Sequence, residues 1–263
     1  MRLPRFLLAA VLLPALSALA DPAIETKTVT YQIGDETFEG SVSRPAKVEG
    51  KVPGVLVAHD WMGYGPFPKE RAEQLARQGY IALALDMYGK GIHAKDSGEA
   101  QKLAGDFYKD KSRFRVRSRA ALAELLKQPD VDPTRIGAIG FCFGGATVLE
   151  LARSGAEVKG VVTFHGTLST DKPAQPGDIK AREILVLHGS RDPMVKPEDV
   201  ATFMDEMNKA EVPFRFVAYP NAVHAFTNPQ AGNDAKKPAA YDPQAAEAAY
   251  GEMTAFFKQV FGR

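Results

Sequence analysis

The sequence predicts a single α/β domain whose mostly parallel central sheet is flanked by helices on both faces. Three observations predict it. Continuous apolar runs, such as Gly54-Val55-Leu56-Val57-Ala58, suit strands buried on both faces. These runs alternate with stretches of helical periodicity, as in repeated strand–helix–strand units. The single cysteine, Cys142, stands in Gly140-Phe141-Cys142-Phe143-Gly144, between a strand-like run and a helix-like one. That Gly-x-nucleophile-x-Gly pattern marks a sharp strand-to-helix turn, where a side chain at either glycine would crowd the backbone.

The elements come in a regular order. Arg2 and Arg5 precede an apolar run from Phe6 to Leu13, and Ala18-Leu19-Ala20 forms a small-x-small cleavage site before Asp21. This is the layout of a secretory signal peptide, with a run too short for a membrane span. Residues 1–20 are expected to be removed on export and the domain to occupy 21–263, in the periplasm or outside the cell. Residues 26–33 and 37–43 alternate apolar and polar about Gly34-Asp35, predicting a hairpin at an antiparallel edge. A strand at 54–58, a helix over 68–78 and a strand at 80–85 come next, the last ending at Asp86. Helices are predicted over 97–108 and 112–128, then a strand at 135–139, the cysteine turn and a helix over 145–153. Strands at 160–164, 184–188 and 214–219 come after these, with a polar loop over 167–181 and a helix over 197–210. The polar, Gly/Pro-rich stretch from Asn228 to Tyr241 reads as a mobile loop. Ala246, Ala249, Tyr250, Met253, Phe256, Phe257 and Val260 then recur at helical spacing over 243–260.

Composition narrows the function. The chain has 33 basic and 32 acidic residues; without Arg2 and Arg5 the count is 31 to 32, near neutrality. No basic patch of nucleic-acid strength is expected from that balance. At 45% hydrophobic residues the chain can build a sizeable core. One cysteine cannot form an internal disulfide, and in an oxidising compartment a lone thiol is either functional or buried.

In open α/β sheets, functional groups gather beyond the carboxyl ends of the strands. Three candidates fall there. Cys142 follows the strand at 135–139, Asp192 in Gly189-Ser190-Arg191-Asp192 follows the one ending at His188, and His224 follows the one ending at Tyr219. The order nucleophile, acid, histidine is that of the α/β-hydrolase fold. A free thiol, with a pKa of about 8.5, is only partly ionised at neutral pH. His224 can take its proton, and Asp192 can fix the imidazole tautomer. The Phe143 N–H, one residue beyond the nucleophile, can donate to an oxyanion. A second donor is expected from the turn after the strand at 54–58, at Trp61. Other readings stay open: a buried small hydrophobe for Cys142, a turn or cap aspartate for Asp192, a surface-loop histidine for His224. His59, His165 and His188 read as structural, and His93 as a surface or rim residue. No metal-binding histidine spacing, GxGxxG or phosphate loop occurs, so neither a metal nor a cofactor is expected.

At Val55–Gly63, Leu85-Asp86-Met87-Tyr88-Gly89, Gly140–Gly145, Gly189–Asp192 and His224-Ala225-Phe226 the chain resembles the dienelactone hydrolase family, from about Val29 to Phe257. The resemblance implies an α/β-hydrolase with a Cys142-Asp192-His224 triad acting on small esters or lactones, a small-molecule partner with no nucleic acid or membrane. Asp60 takes the place of a glutamate that, in the best-known members, pairs with the resting thiol. Those members bind the substrate carboxylate through two arginines; Lys90 and Asn228 stand at their positions here. Lysine keeps the charge without the bidentate fork, and asparagine loses the charge. Trp61, Tyr88 and Phe226 are expected to line an apolar pocket. The leading expectation is a monomeric, cofactor-free hydrolase working through a thioester. The alternative is a redox or electrophile-capturing protein with Cys142 as a sensor thiol.

Overall fold

The computed structural model describes residues 22–262. The expected signal peptide lies outside the described residues. Within them, eight strands form one sheet in the order β1-β2-β4-β3-β5-β6-β7-β8. These are β1 (Ile24–Ile33), β2 (Glu36–Pro45), β3 (Val52–Ala58), β4 (Ile81–Leu85), β5 (Val131–Phe141), β6 (Gly160–Phe164), β7 (Glu183–Gly189) and β8 (Phe214–Tyr219). Pairing is antiparallel for β1–β2 and β2–β4 and parallel from β4 to β8. The hairpin is therefore the expected antiparallel edge. Gly34, at φ +59°, makes its turn. Gly40 lets β2 dock on β4, because a Cβ there would lie 2.6 Å from the Ala84 carbonyl oxygen.

Six helices cover the sheet: α1 (Pro66–Arg77), α2 (Ser97–Lys109), α3 (Ser112–Leu126), α4 (Phe143–Arg153), α5 (Pro197–Lys209) and α6 (Pro243–Phe261). Two cores result, one per face. Leu56, Ile81 and Leu83 pack with α2–α5, while Val55, Val57, Ala82 and Ala84 pack with α1 and α6. The apolar runs are continuous because both faces of each strand are covered. α6 has a marked start and stop. Asp242 accepts from the Gln244 and Ala245 N–H groups at 3.1 Å, Pro243 opens the first turn, and Gly262 closes it at φ +69°.

Most boundaries fall within a residue or two of expectation, and two of the differences bear on the site. β5 begins at Val131, before Pro133, a residue that demotes a strand; its register with β3 shifts between Pro53 and Gly54. α4 begins at Phe143, directly on the nucleophile, although Gly144 and Gly145 disfavour helix by propensity. The loop over 228–241, read as mobile, is tied down at its far end. The Pro238 carbonyl accepts from the His224 N–H at 3.2 Å, and the Ala240 N–H donates to the His224 carbonyl at 3.0 Å. Among the described residues, no helix is long and apolar enough to cross a membrane.

Candidate active site

The chain reverses side between β4 and β5 about β3, and the crevice beyond that switch point holds the candidate site. Cys142 caps β5 with φ +54° and ψ −113°. For a residue with a Cβ this costs on the order of 1–3 kcal/mol and persists only where surroundings enforce it. They do so here. The Cys142 N–H donates to the Phe164 carbonyl at 3.0 Å, and its own carbonyl accepts from the Gly145 N–H at 2.9 Å. A Cβ on Gly140 would sit 1.9 Å from the Gly144 carbonyl oxygen, and one on Gly144 would sit 2.3 Å from that of Ala58. The glycines are thus required by the close passage of α4 over β3 and β5.

His224 Nδ1–H donates to Asp192 Oδ2 at 2.8 Å, and both side chains are buried. The other carboxylate oxygen accepts from the Met194 N–H at 2.8 Å. Gly189 allows the two loops to meet, since a Cβ there would lie 2.7 Å from the Ala222 and Val223 carbonyl oxygens. Burial opposes a charge on His224. The neighbouring Cys142 and the Asp192 carboxylate outweigh it and push the imidazole up to about 10. His224 Nε2 nevertheless has no hydrogen bond of normal geometry among the described residues. The Cys142–His224 contact is therefore a loose one, as resting sites commonly show before substrate tightens them.

Phe143 is the first residue of α4, so its N–H has no intrahelical acceptor. The Trp61 N–H lies in the turn beyond β3, and neither group has a backbone acceptor among the described residues. The Phe143 ring is buried among His59, Tyr88, Phe107 and Phe114, with centroids 4.9–5.7 Å away.

A cavity of about 400 Å³ opens over Cys142 and His224. Trp61, Met62, Phe67, Phe141 and Met194 give it apolar walls, and Asp60, Asn228 and Gln230 its polar side. Asp60 accepts from the Met62 N–H at 2.8 Å and from Asn228 Nδ2 at 3.4 Å. Burial raises its carboxyl above the usual carboxylate range, against the lowering pull of the Met62 N–H, His59, His224 and Asn228. Its hydrogen bonds thus go to Met62 and Asn228 and not to the thiol.

Not every expected site residue reaches the cavity. Lys90 does not line it: its Nζ lies 3.2 Å from the Glu39 carboxylate on the outer surface. The cause is local. Asp86 gathers the Tyr88 and Gly89 N–H groups at 2.8 and 3.0 Å, and the Lys90 N–H donates to the Thr37 carbonyl, so the turn leans onto the hairpin. Tyr88 sits behind the wall, its hydroxyl donating to the Trp61 carbonyl at 2.9 Å. Phe226 is wholly buried against His165 and Tyr219. Trp61, Asp60 and Asn228 line the cavity. His165, read as structural, lines the cavity too. Its ring stands edge-on to His224 at 5.1 Å, and its Nε2 is hydrogen-bonded to the Thr227 hydroxyl at 2.8 Å. Met62, Met194, Gln230, Ala231 and Ala239 went unread; their only signal is a place in loops beyond strand ends. Among the described residues, no cluster could hold a metal ion.

A profile of the dienelactone hydrolase family matches residues 38–261. A protein of Escherichia coli (strain K12), provisionally named carboxymethylenebutenolidase, is 26% identical over 270 residues, covering 95% of this chain and 95% of its own. The solved structure of P91 from metagenomic libraries, titled a dienelactone hydrolase-like promiscuous phosphotriesterase, is 37% identical with a TM-score of 0.83, covering 90% of this chain and 99% of its own. MGS-M1, an alpha/beta hydrolase enzyme from a Medee basin deep-sea metagenome library, is similar in fold alone: 17% identical, TM-score 0.63, covering 92% of this chain and 100% of its own.

Proposed function

The chain belongs to the dienelactone hydrolase family and is a hydrolase of α/β-hydrolase fold, and from that premise we propose that it cleaves small carboxylic esters or lactones with Cys142 as nucleophile. The Cys142 sulfur attacks the carbonyl carbon, and the oxyanion takes hydrogen bonds from the Phe143 and Trp61 N–H groups. The ester C–O bond breaks as His224 gives its proton to the leaving alkoxide, which leaves a thioester. A water deprotonated by His224 attacks that thioester, expels the thiolate and releases the acid. Asp192 holds the His224 tautomer throughout. All these groups come from one chain, so the reading is of a monomer acting on a small molecule without cofactor or nucleic acid.

The observation that carries the proposal is the His224–Asp192 hydrogen bond of 2.8 Å with Cys142 as the group that raises the imidazole. The test is p-nitrophenyl acetate turnover with intact-mass detection of an acyl adduct on Cys142. Cys142→Ala that is folded and still turns over the ester would overturn the mechanism. A second reading is favoured by the likeness to P91: the same thiolate attacks a neutral phosphotriester and expels its aryloxide, which takes the His224 proton, with the same N–H pair on the phosphoryl oxygen, and a water deprotonated by His224 then breaks the S–P bond and frees the thiolate. Paraoxon turnover that is lost in Cys142→Ala supports it, and no turnover refutes it. We also propose export with cleavage before Asp21, to be read by N-terminal sequencing of periplasmic material; an N-terminus at Met1 would rule it out.

A further inference from the structure

We propose that this site selects uncharged substrates and that Asp60, braced by Asn228, is the residue that rejects anionic ones. The proposal names the substrate class of the Cys142 hydrolase site and rests on that reading of it.

The charge around the cavity is one-sided. Among the described residues, no lysine or arginine lines it. Lys90, expected in the binding role, is spent on Glu39 outside. His224 is the one cationic group, and Cys142 and Asp192 already answer it. Against this stands the Asp60 carboxyl on the cavity wall. Ionised, it repels an anion; protonated, it offers it no charge. Neither state gives a substrate carboxylate a cationic partner among the lining side chains to repay the water it gives up, which is the costly arrangement.

Asn228 makes the carboxyl a fixed feature. Its Oδ1 accepts from the Gln230 N–H at 3.0 Å, which sets the amide orientation and turns Nδ2 towards Asp60 at 3.4 Å. The second Asp60 oxygen is held by the Met62 N–H at 2.8 Å. The carboxyl cannot swing out of the cavity without breaking both bonds. The remaining wall, from Trp61, Met62, Phe67, Phe141 and Met194, offers apolar contact to a neutral acyl or alcohol group. Discrimination of this kind comes from a built-in repulsive element as much as from a new attractive one.

Two measurements test it, one independent of turnover. First, Cys142 is alkylated with iodoacetamide and with iodoacetate, each rate divided by that of a small-molecule thiol. A cationic imidazolium beside an unopposed thiolate favours the anion; the proposal expects the neutral reagent to be favoured by about 10-fold or more, and Asp60→Asn to shrink that preference. Equal normalised rates, or a preference for iodoacetate, overturn it. Second, kcat/KM is compared for p-nitrophenyl hexanoate and the mono-p-nitrophenyl ester of adipic acid. The neutral ester should be favoured by roughly 100-fold or more, and the ratio should fall at least about 10-fold in Asp60→Asn. Using the ratio cancels any effect of Asp60 on the thiol itself. A ratio unmoved by the substitution overturns the role of Asp60. No turnover of either ester, with the alkylation preference intact, overturns the proposed hydrolysis and supports charge selection.

Discussion

His224 and Asp192 meet at 2.8 Å through Nδ1 and Oδ2, with both side chains buried. The two residues lie in loops after β8 and β7, and Gly189 lets those loops touch. The hydrogen bond leaves Nε2 as the nitrogen available to Cys142. Its orientation is fixed by a carboxylate that cannot turn to water.

Replacing Asp192 by Asn should therefore keep the fold and lose the tautomer. We expect kcat for an activated ester to fall by about 10²–10⁴-fold with an unchanged circular dichroism spectrum. Retention of kcat within about 3-fold would show that Asp192 does not orient the base.

His224 is pushed up to about 10, above the ordinary histidine value of 6.5. The folded state thus binds the proton more tightly than the unfolded chain. The resulting stability is fully present below about pH 6.5 and is lost as pH rises through about 10. In Cys142→Ala the main raising influence is gone while burial still lowers the group. The imidazole midpoint, followed by NMR, should drop by about 1–3 pH units, and the loss of stability should begin at lower pH. An unmoved midpoint would mean that the sulfur does not raise it.

Gly144→Ala should destabilise the protein. The new methyl would meet the Ala58 and His59 carbonyl oxygens at 2.3 and 2.5 Å, both backbone atoms of the strand end that carries Trp61. Urea unfolding should show a loss of about 1–3 kcal/mol or more, together with lost activity. Gly105 is the control: it lies within α2 with open space about it, so Gly105→Ala should stabilise by up to about 1 kcal/mol.

Arg153 is buried between two carboxylates, Nη1 to Glu150 at 3.0 Å and Nη2 to Glu206 at 2.7 Å. Arg153→Met leaves Glu206 without its cationic partner, and Glu150 keeps only Arg115, at 2.7 Å. Denaturant melts should show a loss of about 3–5 kcal/mol. The triple substitution Arg153→Met, Glu150→Leu, Glu206→Leu should recover much of it. If the single substitution changes stability by less than about 1 kcal/mol, the network is not buried as described.

Strand positions and the cysteine turn were legible because they depend on local pattern. Each parallel strand is an apolar run, and Gly140 and Gly144 flank Cys142 at the spacing the turn demands. Asp192 and His224 were legible because the fold gathers the loops beyond its strand ends around one crevice. The failures share a different cause. Whether Lys90 reaches the cavity depends on Asp86 and on the Thr37 carbonyl, which belongs to a hairpin some fifty residues earlier in the chain. Whether Tyr88 and Phe226 are wall or interior depends on which rings from distant parts of the chain pack around them. His165, one residue beyond its strand, stands beside His224 at 5.1 Å, whereas His188 lies within β7 against Phe216. None of this is written in spacing along the chain.

The residue offering its N–H beside the thiol is also the hub of the aromatic packing on the α2–α3 side. Phe143 packs against rings from the turns after β3 and β4 and from α2 and α3. Tolerance to substitution in this protein should therefore be uneven. The floor of the site can hardly vary without loosening the interior beneath it. The rim side chains of Met194 and Ala231, on loops, can change at lower cost. New substrate preferences in descendants of this chain should arise by turnover of the rim while the machinery below stays unaltered.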